Sequence, residues 1–171
     1  MNTTKKTLIR VLTLAGSVAG VVHAAEIDLN AKIPTVQSVD QNGVVVDLAT
    51  EGAKGFTLVY FYPKADTAGC TKQACSLRDE FATLSKKGVQ VFGVSGDDVA
   101  AQKAFELKYK LPFRLLADTE KAVMDAFGVP HTGKFASRQA FLFKDGTLVW
   151  RDLTASTAEQ AADVLEALKT L

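Results

Sequence analysis

Cys70 and Cys75 are the only cysteines in a chain of 171 residues. They lie in the segment Tyr62-Pro63-Lys64-Ala65-Asp66-Thr67-Ala68-Gly69-Cys70-Thr71-Lys72-Gln73-Ala74-Cys75. The segment leaves the end of a continuous apolar run and enters a stretch of helical period, which puts Cys70 in the first turn of a helix. Unpaired backbone N–H groups and the positive dipole end favour an anion there. For a thiol that anion is the nucleophile. A thiol of ordinary pKa, about 8.5, is only about 3% ionised at pH 7; one lowered to about 6 is about 90% ionised. Position alone therefore predicts a reactive Cys70.

The spacing of the second sulfur adds a constraint. Five residues of ideal α-helix rotate the chain by about 140° of net turn and rise about 7.5 Å, a Cα–Cα separation of about 8.7 Å. A disulfide needs less than about 7 Å. The two cysteines cannot be bonded while both sit in an intact helix, so either the helix is absent or it unwinds locally when the bond forms. Such a bond closes a very short loop and stabilises by about 2 kcal/mol. That is weak for a staple and better suited to a redox device, because strain in the oxidised form eases reduction. Spacing alone leaves open a small structural disulfide and two unrelated buried thiols. Neither accounts for the Pro, Thr and Gly ahead of Cys70.

The elements that must hold this turn are legible in outline. Val36–Asp47 alternates around Gln41-Asn42-Gly43, a hairpin signal. Phe56–Tyr62 and Val89–Ser95 are apolar runs expected of central strands buried on both faces. Ala74, Leu77, Phe81 and Leu84 recur at helical spacing, with Gly88 as the C-cap candidate. A helix is predicted from about Val99 to Lys110, a short strand over Phe113–Ala117 and a helix over Glu120–Phe127 closed by Gly128. Arg138–Lys144 and Thr147–Asp152 flank Asp145-Gly146, a second hairpin, and Ala161, Val164, Leu165 and Leu168 mark a last amphipathic helix. Alternating strands and helices predict an α/β domain: a thioredoxin-like fold with a central mixed β-sheet flanked by helices and an N-terminal β-hairpin.

Composition narrows the classes. Hydrophobic residues make up 47% and charged residues 23%, a globular balance, and the net charge of +1 is not that of a nucleic-acid binder. With two Cys and two His, a four-ligand zinc site would need every one of them, and His23 falls in a segment expected to be removed. No metal or cofactor is expected. Residues 1–24 begin with Lys5, Lys6 and Arg10, continue through an apolar run from Val11 to Val22, and end at Val22-His23-Ala24. This is the layout of a secretory signal peptide, too short in its apolar run to span a bilayer. Residues 25–171 would then form the mature domain, without stable membrane association, in a periplasmic or secreted setting where a cysteine pair is often oxidised.

Pro63-x-x-x-Thr67-x-x-Cys70 resembles the active-site signature of peroxiredoxins, and a second cysteine five residues on resembles the Q-type branch, the bacterioferritin-comigratory proteins. Phe61-Tyr62-Pro63-Lys64, Gly69-Cys70-Thr71, Ala74-Cys75, Leu77-Arg78-Asp79, Gly93-Val94-Ser95, Leu111-Pro112-Phe113 and Phe127-Gly128-Val129 occur in the matching order. The chain differs at Ala68, where proline is common, and at Gln102, where many relatives have histidine.

The resemblance implies a thiol peroxidase for hydrogen peroxide and small organic hydroperoxides. Cys70 would be the peroxidatic cysteine, passing through a sulfenic acid, and Cys75 the resolving cysteine that forms an intramolecular disulfide. Thr67 would hydrogen-bond thiolate and peroxide, and Pro63 would shield the pocket from water. Arg138 matches the family's late-strand arginine, with Arg78 and Arg151 as rivals, and Gln73 would orient it. An external thioredoxin-like or other dithiol would recycle the disulfide, and the chain would be a monomer. The competing classes are an exported thioredoxin-like dithiol/disulfide oxidoreductase, whose usual Cys-x-x-Cys is absent, and a binding domain with a structural disulfide.

Overall fold

A computed structural model describes residues 25–171; the signal-peptide expectation falls on residues outside these. Two strands open the domain as an antiparallel hairpin, β1 (Gln37–Asp40) and β2 (Val45–Asp47). Its turn is held by the Asp40 carboxylate, which accepts from the Asn42 and Val44 amides, and Gly43 supplies the positive φ of 74°. A one-turn helix α1 (Leu48–Glu51) follows, capped by the Asp47 side chain.

The central strand β3 (Phe56–Phe61) leads into α2 (Ala68–Asp79) and α3 (Phe81–Lys86), then β4 (Val89–Ser95), α4 (Val99–Tyr109), β5 (Arg114–Ala117) and α5 (Ala122–Phe127). A two-residue hairpin, β6 (His131–Thr132) and β7 (Phe135–Ala136), precedes the long hairpin β8 (Gln139–Lys144) and β9 (Thr147–Asp152). The last element is α6 (Gln160–Ala167). The seven-stranded sheet runs β2-β1-β5-β4-β3-β8-β9. β3, β4 and β5 are mutually parallel, and the other pairings are antiparallel. This is the mixed, helix-flanked, thioredoxin-like sheet expected from the order of elements.

Side chains alternate across β3, so one sequence feeds two cores. Leu58 and Tyr60, with Tyr62, pack under α2, α3, α4 and α6 together with Phe105, Leu115, Leu142 and Val164. Val59 and Phe61 face the other way, onto α1 and α5, with Phe92, Phe127, Phe141 and Phe143. On that second face Phe127 meets Phe61, Phe141 and Phe143 edge-on at centroid separations of 5.3–5.9 Å, the favoured geometry for aromatic rings.

Local departures from expectation have local causes. The period through Ala74, Leu77, Phe81 and Leu84 is carried by two helices, because Glu80 (φ −97°, ψ 8°) breaks α2 from α3. The helix expected from Glu120 starts at Ala122, since Lys121 takes φ 63° and the Asp118 carboxylate accepts from the Val123 and Met124 amides. Lys110 is not the last residue of α4 but its left-handed cap, at φ 54°. Arg138 stands just ahead of β8 rather than within it.

Candidate active site

β3 and β4 end at the same edge of the sheet, and the turns that follow them meet there. Tyr62 continues the ladder through its amide to Val94 O, at 3.1 Å. The chain from Pro63 to Thr67 is then tied down on two sides. The buried Asp97 carboxylate, in the turn after β4, accepts from the Ala65 amide at 2.7 Å and from the Ser95 hydroxyl at 2.9 Å. Asp66, in the left-handed region at φ 58°, accepts from Lys108 Nζ at 2.7–2.8 Å and from the Tyr109 hydroxyl at 2.6 Å, both at the end of α4. Lys108 is the first reason that the Asp66 carboxyl is held below its ordinary pKa, and Tyr109 the second.

Beneath this loop runs a buried polar chain. The Tyr62 hydroxyl donates to Gln102 Oε1, and Gln102 Nε2 donates to Ser95 Oγ and to Leu116 O, both at 2.9 Å. Burial pushes the Tyr62 phenol well above its ordinary pKa, so this hydroxyl stays a donor. Gln102 and Asp97 are positioning residues that spacing did not reveal. Their partners are distant in sequence and their roles are purely tertiary.

Thr67 is the N-cap of α2, with extended backbone (φ −94°, ψ 155°) and no side-chain cap bond. The first helical hydrogen bond joins the Thr71 amide to Thr67 O, at 2.8 Å. The amides of Ala68, Gly69 and Cys70 therefore have no partner within the helix, which is the anion-favouring end expected of this position. The Thr67 hydroxyl donates to Lys64 O at 3.0 Å. Its proton is committed to the loop, and its lone pairs remain to accept from a ligand. Pro63 is half-buried at the loop's start.

Cys70 is 1% exposed, third in α2 on its inner side. Arg138 Nη2 lies 3.5 Å from Cys70 Sγ, and Arg138 Nη1 donates to Gln73 Oε1. Gln73, fully buried and one turn beyond Cys70, in turn donates through Nε2 to Gln160 Oε1 on α6 at 2.8 Å. The guanidinium is thus held by an amide on one side and faces the sulfur on the other. Arg138 shares the register of Ala140 and Leu142, the side of β8 that faces Cys70. A methyl group added at Gly69 would lie 3.2 Å from Arg138 Nη2 and 3.4 Å from Thr157 Cγ2, in the loop between β9 and α6.

The rival arginines are engaged elsewhere. Arg78 donates to Tyr109 O at 2.9 Å and pairs with Asp79 at 2.8 Å; Arg151 binds Ile27 O and Asp28 near the start of the described chain. Cys75 is partly exposed on the same helix as Cys70, and the two are unbonded, as an intact α2 requires.

Residues 29–151 match the AhpC/TSA family. The chain belongs to that family. Among curated relatives it is 39% identical over 137 residues to the chloroplastic peroxiredoxin Q of Arabidopsis thaliana, across 79% of this chain and 62% of that one. It is 46% identical over 105 residues to the chloroplastic peroxiredoxin Q of Triticum aestivum, across 60% of this chain and 48% of that one. It therefore spans about half to three-fifths of the length of these relatives. Its fold is similar to that of the Xanthomonas campestris bacterioferritin comigratory protein, studied for alkyl peroxide reduction (28% identity, TM-score 0.76, 85% of this chain and 98% of that one). It is also similar to the peroxidoxin BcpB of Mycobacterium tuberculosis (26% identity, TM-score 0.75, 84% and 99%). The resemblance to Q-type peroxiredoxins holds in both sequence and fold.

Proposed function

We propose that the protein is a thiol peroxidase that reduces hydrogen peroxide and small alkyl hydroperoxides. The observation that carries this reading is the Arg138 guanidinium, 3.5 Å from a buried Cys70 sulfur at the start of α2. The Cys70 thiolate attacks the outer oxygen of a peroxide. The O–O bond breaks, Cys70 becomes a sulfenic acid, and an alcohol or water leaves after taking a proton. Charge grows on the departing oxygen in that step. A guanidinium held by Gln73 can stabilise this charge, because its fork reaches sulfur and substrate together.

Thr67 accepts from the peroxide O–H, and Pro63 covers the sulfur from bulk water. Cys75 then condenses with the sulfenic acid, releasing water and forming an intramolecular disulfide. An external thioredoxin-like dithiol reduces it. A cysteine that is 1% exposed suits a small oxidant better than the disulfide of a folded protein, which favours a peroxidase over a general dithiol oxidoreductase. We read residues 1–24 as an export signal, so that the mature enzyme acts outside the cytoplasm as a monomer. Mass analysis of protein recovered from an extracytoplasmic fraction, with a new N-terminus at Ala25, tests that assignment.

The deciding experiment is stopped-flow oxidation of the reduced protein. Cys70→Ser abolishes peroxide consumption. Cys75→Ser retains one rapid turnover and then accumulates sulfenic acid. Equal partial losses in the two variants would overturn the assignment of roles.

A further inference from the structure

Two hydrogen bonds join α2 to the first turn of α6, one within the stretch that must unwind and one at the residue that follows it. Gln73, between the cysteines, donates to Gln160 Oε1 at 2.8 Å, and the Ala161 amide donates to the hydroxyl of Ser76, the residue after Cys75, at 3.1 Å. The second contact matters for α6 itself. Its N-cap, Glu159, makes no side-chain cap bond, so Ser76 supplies from another helix an acceptor for one of the unpaired first-turn amides. The direction of the first contact is set from outside. Arg138 donates to Gln73 Oε1, which fixes the amide's orientation and turns its nitrogen toward Gln160. Gln73 and Gln160 are both fully buried.

A disulfide between Cys70 and Cys75 requires their Cα atoms to come within about 7 Å, against about 8.7 Å in an ideal helix. Residues 70–75 must leave helical geometry; Gln73 leaves its partner with them, and Ser76, joined directly to Cys75, is drawn from its own. We propose that Gln160 and the Ala161 amide form a latch that keeps α2 wound, and that its release sets how fast Cys75 reaches the oxidised Cys70. The inference rests on the peroxidase reading. The gated step is Cys70–SOH plus Cys75–SH giving the disulfide plus water: the S–O bond breaks, an S–S bond forms, and the thiol proton leaves with the hydroxyl. Gln160 is a positioning residue here, since it acts through Gln73 and does not touch the sulfur. Holding α2 wound keeps Arg138 aimed for the first step but prolongs the life of the sulfenic acid, which excess peroxide converts to sulfinic acid.

The test compares wild type, Gln160→Ala and Ser76→Ala in stopped-flow oxidation by hydrogen peroxide. It separates the peroxide-dependent phase from the peroxide-independent resolution phase and measures sulfinic acid at high peroxide by mass. Each variant is expected to resolve about 3- to 10-fold faster, the effect of losing one net hydrogen bond, and to form less sulfinic acid. Amide hydrogen exchange across residues 71–76 of the reduced form is expected to quicken by a similar factor. Lower thermal stability with an unchanged split between disulfide and sulfinic acid would make the contacts merely structural and overturn the latch, as would unchanged exchange. If Gln160→Ala does not fold, Ser76→Ala and the exchange measurement decide. If wild type shows no peroxide-dependent phase, the peroxidase reading fails and the latch with it. If wild type shows both phases and the variants resolve at its rate, only the latch is lost.

Discussion

The two faces of the sheet are built differently. Under α1 and α5 the core is apolar, aliphatic side chains around a cluster of edge-on rings: Phe61, Phe127, Phe141 and Phe143. Under α2, α4 and α6 the core is crossed by polar chains, from Tyr62 through Gln102 and Ser95 to Asp97, and from Arg138 through Gln73 to Gln160. Buried polar groups add little net stability and cost much when left unpaired. What they add here is direction, for a guanidinium and for a loop. Both faces bury a full apolar core, but only one of them also spends part of it on aiming a guanidinium at a sulfur.

The largest expected difference is in stability. Phe127→Ala opens a cavity among rings and costs about 3–5 kcal/mol. Denaturant unfolding measures it, and peroxide oxidation per folded molecule stays near wild type. A large loss of rate at full folding would break the contrast.

Arg138→Ala reverses the pattern. The peroxide-dependent phase slows by about 10²- to 10³-fold, as for loss of one preorganised donor. Stability falls by only about 1–2 kcal/mol, from the unpairing of Gln73 Oε1. An unchanged first turnover in stopped flow would remove Arg138 from the chemistry.

Tyr62→Phe sits between these. It leaves Gln102 Oε1 buried without its donor and costs about 1–3 kcal/mol, while slowing the first turnover less than Arg138→Ala does. Paired unfolding and stopped-flow measurements sharpen the comparison by separating loop support from catalysis.

The smallest effect is a dependence on pH. The Asp66 carboxyl is held below its ordinary pKa by Lys108 and Tyr109. The stabilisation is therefore fully present above the usual carboxylate pKa of about 4 and is lost as pH falls through the lower folded-state value. Asp66→Asn is expected to flatten this acid limb of the unfolding profile, and an identical limb in both proteins would exclude the pair as an anchor.

Much of the fold follows from short-range signals. The apolar runs of β3 and β4 could only be buried strands, and Asp145-Gly146 closes its hairpin with both residues at positive φ, 50° and 72°. Cys70, Cys75, Thr67 and Pro63 could be nominated from one short segment, and Arg138 because it matched a family position; the structure brings Arg138 to Cys70. The break at Glu80 was hidden by an apolar period that runs straight through it, and the late start of α5 by a cap reaching back to Asp118. Gln160, Gln102 and Asp97 left no trace in local patterning. A glutamine facing a core reads as a defect until its distant partner is known.

Gly69 carries a consequence for how this site can change. A carbon added at Gly69 would crowd the Arg138 guanidinium at 3.2 Å and touch the Thr157 methyl at 3.4 Å. The guanidinium keeps its place beside Cys70 because a side chain is missing there, and alanine at position 69 would make Arg138 give way by a few tenths of an ångström.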